Sequence, residues 1–185
     1  LGGIWRSEDG GRSWKNLGLK DARHIIRIVI HPRNPDILWV AVMGHLFGPN
    51  ETRGVYKSTD GGKTWKRTLY VNNQTGASDL VMEPGNPTTF YAGTWRVIRT
   101  PYSMESGGDG SGLWKSTDGG DTWKNISATK GLPKGVWGIV GVAVAPSNPD
   151  KVYTIVENAN GGLFSSSDAG ETWTLQNSSG DIRQR

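Results

Sequence analysis

The sequence predicts an all-β fold: a β-propeller segment of four-stranded blades, about three and a half of them, with one recurrent hairpin motif closing each blade. Three observations carry this. The pattern Ser-x-Asp-x-Gly-x-Thr/Ser-Trp occurs four times, at Ser7–Trp14, Ser58–Trp65, Ser116–Trp123 and Ser166–Trp173. A second turn, Pro-x-Asn-Pro, alternates with it at Pro32–Pro35, Pro84–Pro87 and Pro146–Pro149. The period is about 50 residues, the length of one blade.

Each element follows from local chemistry. In the first motif the Asp accepts hydrogen bonds from amides of its own turn, Gly supplies unusual backbone angles and Trp starts the return strand. The apolar-aromatic pairs before it, Ile4-Trp5, Val55-Tyr56, Leu113-Trp114 and Leu163-Phe164, demand burial on both faces, as in a sheet between sheets. In the second motif proline removes an amide donor and stiffens a corner, so it belongs between strands. One unit is therefore strand A, the Pro-x-Asn-Pro turn, strand B, a loop, strand C, the Asp motif and strand D. Residues 3–19 hold a half blade of strands C and D, and full blades span 23–72, 76–129 and 134–178. The tail 179–185 reads as the start of a next blade. The chain opens in mid-repeat at Leu1-Gly2-Gly3-Ile4-Trp5, so further sequence is expected upstream, and two unclosed blade faces are expected to meet the rest of a larger propeller or another subunit.

The Asp motif resembles the Asp-box, or bacterial neuraminidase repeat, and the likeness runs through nearly the whole chain. It is similar to the propellers of sialidases, sortilin-type receptors and xyloglucanase-type glycoside hydrolases, and most of all to large bacterial proteins described as sortilin-like or glycosyl-hydrolase-like. The resemblance implies an exported bacterial protein, periplasmic, cell-surface or secreted. It also implies a recognition or assembly scaffold for protein, peptide or glycan, with a xyloglucanase-like glycoside hydrolase as the alternative. Fold analogy alone does not decide the chemistry.

Composition narrows the partners. Nine Trp within a 35% hydrophobic chain suffice for serial small cores, and no apolar run reaches the length of a membrane span. The absence of Cys removes disulfides and thiolate-held metal. A net charge of +4, with Lys and Arg dispersed through the repeats, argues for a solvated surface and against nucleic acid.

The blade topology locates the candidate site. A-B and C-D corners share one end of an up-and-down blade, and B-C and D-A connections share the other. The B-C loops, Met43 to Gly54, Trp95 to Gly112 and Glu157 to Gly162, differ in length, which marks their end as the functional face. His45, Phe47, Glu51 and Arg53 fall on the first loop, and Trp95, Arg96, Arg99, Tyr102 and Glu105 on the second. Aromatic platforms beside charges suit sugar or peptide recognition. Aligning the innermost strands on the first proline of each turn puts Arg27, Asp79 and Gly141 at one position between aliphatic neighbours. Arg27 and Asp79 are thus expected to pair at the channel wall, with His24 and Trp137 above them.

Asp79 is the one catalytic candidate, half of the carboxylate pair a glycosidase needs. A sialidase, by that resemblance, needs three arginines gripping a carboxylate and a Tyr-Glu nucleophile pair, and the family's Arg-Ile-Pro segment is missing. The motif residues Asp9, Trp14, Asp60, Trp65, Asp118, Trp123, Asp168 and Trp173 are expected to be structural. No metal and no cofactor is expected: one Asp per turn is too few oxygens for calcium, and His24, His31 and His45 lack ligand spacing. Gly107–Gly112 is followed by neither Gly-Lys-Ser/Thr nor a helix, so it reads as a flexible loop rather than a phosphate loop.

Overall fold

A computed structural model describes residues 2–183. It is all-β, a partial propeller of antiparallel sheets laid side by side. The half blade pairs β1 (Trp5–Arg6) with β2 (Lys15–Asn16). The next sheet runs β3 (His24–Ile30), β4 (Leu38–Gly44), β5 (Gly54–Ser58), β6 (Lys66–Leu69) in chain order. The third contains β7 (Thr75–Glu83), β8 (Asn86–Arg99), β10 (Gly112–Ser116) and β11 (Lys124–Asn125), with β9 (Met104–Ser106) paired to the far end of β8. The last runs β12 (Val140–Val144), β13 (Val152–Val156), β14 (Gly162–Ser166), β15 (Thr174–Asn177).

Cores lie between sheets. Ile4, Ala22, Val40 and Val42 close the first interface. Trp39, Ala41, Leu80 and Phe90 close the second, and Tyr91, Leu113, Val140 and Phe164 belong to the third. Strand β4, caught between neighbours, is buried at every residue. A recurring clasp adds direction: the Trp39 indole donates to Gly119 O at 2.9 Å in the next blade, and the Tyr91 hydroxyl donates to Ala169 O at 2.8 Å in the one after. Lys57 and Lys115, across from those rings on the neighbouring strands, reach Asp121 and Glu171 of the same two motifs. Tyr153, the third ring in the series, is 37% exposed, with no following blade among the described residues.

The Asp motifs are built by their own side chains. Asp60 accepts the Thr64 amide at 2.9 Å and the Thr64 hydroxyl at 2.6 Å, while Ser58 donates to Asp60 and accepts the Gly62 amide. The Thr64 hydroxyl and amide hold the Asp60 carboxyl down at about 2, so the turn stays ionised at neutral pH. Asp9, Asp118 and Asp168 make the same bonds within their turns. Trp65 and Trp123 reach back to the preceding blade, at Leu17 O and Thr68 Oγ1. Trp173 is buried. Trp14 is 59% exposed, because no blade precedes its own among the described residues.

One motif departs from the pattern. Ala169 takes the first glycine position with φ 54°, where Gly61 and Gly119 have 72° and 75°. A Cβ in the left-handed region costs about 1 kcal/mol, so Ala169→Gly should stabilise by roughly 0.5–1 kcal/mol in urea unfolding. An unchanged or lowered midpoint would show that Ala169 is unstrained.

One expectation is corrected here. In the middle Pro-x-Asn-Pro turn the second proline does not lie between strands: Glu83 pairs directly with Asn86, and Pro87 lies inside β8. Gly85, at φ 77°, allows a tight turn after Pro84 that Arg33 and Ser147 do not offer in the other blades. In the tail, Gly180–Arg183 form one helical turn beside β13 and β14, with the Ile182 amide on Ser179 O. The remainder of 179–185, residues 184 and 185, lies outside the described residues.

Candidate functional site

Cross-bonds sort the loops into two ends. The A-B corner joins the Asp motif at Gly61 N to Asp36 O, Gly119 N to Thr88 O and Ala169 N to Asp150 O. At the opposite end the B-C loops join D-A connections, through Asn50 N to Asn73 O and Gly108 N to Trp137 O.

On that second end the blade-two loop is a strapped ribbon rather than a slack loop. Val97, Ile98 and Arg99 pair with Ser106, Glu105 and Met104. Arg96 spends its guanidinium on the strap, donating to Gln74 Oε1 at 3.3 Å, Glu105 Oε2 at 3.0 Å and Gly107 O at 3.1 Å. The half-buried Trp95 donates its indole N–H to Ser106 Oγ, and Ser106 in turn donates to Glu157 Oε2 at 2.6 Å. Glu157 also accepts the Ile139 amide at 2.8 Å, so it ties the ribbon to the next blade. Glu157 is not among the sequence candidates, although an acid directly after the aliphatic Val152–Val156 strand is a usable signal. At the tip stands Tyr102, 95% exposed, beside the exposed Arg99. Phe47, 60% exposed, stands on the blade-one loop.

Two other candidates lie inside the scaffold. Trp137 is 4% exposed and donates to Pro133 O; it sits in the core between blades two and three, which corrects its expected place at a channel mouth. Arg53 is fully buried, donating to Gln74 O, His45 O and Gly48 O, which corrects its expected surface role. Burial without a carboxylate partner lowers its pKa. His24 places Nδ1 against Gly44 O, its partner across β3 and β4, and His45 places Nδ1 against Phe47 O within its own loop. His31 accepts two amides of its own turn.

Arg27 and Asp79 meet across blades. The guanidinium lies 3.2 Å from Asp79 Oδ1, with side chains 54% and 13% exposed. Oδ1 also accepts the Leu80 amide, and Oδ2 accepts the Val142 amide at 3.0 Å. Asp79 therefore binds the innermost strands of three blades, with both of its oxygens engaged. Among the described residues no cluster of His, Cys, Asp or Glu is able to hold a metal, and no helix is long and apolar enough to cross a membrane.

Comparison with known proteins agrees with this architecture. Xyloglucanase Xgh74A of Acetivibrio thermocellus is 29% identical over 143 residues, 64% of this chain and 15% of that protein. A xyloglucanase of Paenibacillus sp is 28% identical over 196 residues, 97% of this chain and 18% of that protein. The chain thus spans less than a fifth of the length of either relative. The crystal structure of an ancestral GH74 enzyme superposes with a TM-score of 0.70 at 20% identity, over 97% of this chain and 22% of that one, a likeness of fold. The family model described as "Sortilin, neurotensin receptor 3" matches residues 2–130, so the chain belongs to the Sortilin-Vps10 family.

Proposed function

We propose that this chain is the recognition segment of a larger, exported bacterial propeller and binds an extended glycan across its B-C/D-A face. The carrying observation is the strapped ribbon that presents Tyr102 on a framework fixed by Arg96, Trp95 and Glu157, with Phe47 on the neighbouring loop. Preorganised aromatic faces stack on sugar rings with little ordering cost. The names of the relatives, xyloglucanases, support a glycan over a peptide.

A second reading, part of a glycoside hydrolase, draws on those same names. It asks for two carboxylates flanking a scissile bond. Asp79, the candidate within this stretch, is engaged by two amides and an arginine, which favours binding over bond cleavage here.

Titration calorimetry with xyloglucan oligosaccharides, an acidic oligosaccharide and an unrelated peptide tests the proposal. Binding by at least one glycan is expected, weakened about tenfold or more by Tyr102→Ala plus Phe47→Ala, the loss of two stacking faces. Binding to the peptide alone, or glycan binding indifferent to both substitutions, would contradict it.

A further inference from the structure

A cleft of about 860 Å³ opens on the same face between Gly108–Ser111 and the connection from β11 to β12. That connection, residues 126–139, is the longest of its kind; the equivalent links are 17–23 and 70–74. Extra chain length on one side of a rigid scaffold is where a specificity element sits.

The cleft's polarity follows from how this connection is pinned. Lys130 O accepts the Trp173 amide at 2.9 Å. Lys134 O and Val136 O both accept the side-chain amide of buried Asn158, at 3.1 and 2.8 Å. In a trans peptide the N–H points opposite to the C=O of the same plane. The amides of Gly131, Gly135 and Trp137 therefore face away from these anchors, and none has an acceptor among the described residues. Lys130 and Lys134, both exposed on the cleft wall, have no carboxylate within 4.0 Å among the described residues. Asp109 is the one acid of the lining. Val136, 64% exposed, gives the cleft its open apolar surface, with buried Leu132, Pro133 and Trp137 behind it.

We infer that this cleft is a subsite for an acidic sugar, one whose carboxylate meets the Lys130 and Lys134 ammonium groups while its ring lies on the apolar surface. Two unpaired ammonium groups and amides turned from their anchors suit a ligand that brings a carboxylate. The inference rests on the glycan-binding reading and names a charge preference within it.

Trigalacturonic acid and its methyl ester, the same sugar without charge, provide the test by calorimetry on the full chain. The free acid should bind about tenfold tighter than the ester in low salt, and the ratio should fall towards one at high salt and in Lys130→Ala plus Lys134→Ala. Both lysines are exposed, so the double variant should keep its unfolding midpoint. Equal affinity for acid and ester, or a preference that survives the double substitution, overturns the inference. So does triglutamate binding as tightly as the sugar acid. If xyloglucan oligosaccharides bind without any preference for acid, only the subsite fails; if no glycan binds at all, the reading beneath it fails too.

Discussion

Asp79→Ala should lower unfolding free energy by about 2–4 kcal/mol, because it strips the acceptor from the Val142 amide and the partner from Arg27 in one step. The ion pair itself contributes little, since Arg27 is half in water; the shielded backbone bonds set the size. Asp79→Asn keeps one acceptor oxygen and should cost about half as much, with Arg27→Ala smaller still. Urea titration orders the three, and the glycan panel separates structure from function. Reduced stability with unchanged glycan affinity assigns Asp79 to the scaffold. Lost affinity at unchanged stability would return it to the site and strengthen the hydrolase reading.

Trp39→Ala should cost more, about 3–5 kcal/mol, by emptying the core between blades one and two and freeing Gly119 O. The ring packs 4.5 Å from Phe90, so the cavity opens where two sheets meet. Trp39→Phe retains most of the volume and should isolate the hydrogen bond at about 1 kcal/mol beyond its lost area. Tyr153→Ala removes the equivalent ring of the last blade, which is partly solvated, and should cost less than about 1.5 kcal/mol. Similar losses for Trp39 and Tyr153 would contradict the clasp as the element that joins successive blades.

Local chemistry made the repeat legible. Ser58, Asp60, Gly62 and Thr64 satisfy one another within a single turn, so their spacing alone carries the structure. The end-to-end placement of loops was legible for the same reason, because strand count determines which corners share an end. What remained hidden depends on neighbours distant in the chain. Arg53 looks like a surface cation until Gln74 O and His45 O close over it. Trp137 looks like a residue of the channel mouth until blades two and three pack around it. The β8–β9 ribbon lies in a stretch whose spacing marks it as loop, although Val97 and Ile98 continue the strand beyond Trp95. Glu157 gains its meaning only from Ser106 and Ile139, on other blades or strands. The cleft near Asn158 is likewise invisible in sequence, since it exists through carbonyls turned towards a buried side chain.

Hydrogen–deuterium exchange with a saturating xyloglucan oligosaccharide, or with trigalacturonic acid if that binds tighter, tests the central claim most directly. The account predicts slowed exchange in segments 45–53, 95–112 and 126–139, on the B-C/D-A face, with the Asp motifs at 58–65, 116–123 and 166–173 unchanged. Protection confined to the Asp motifs would place binding at the opposite end and contradict the account.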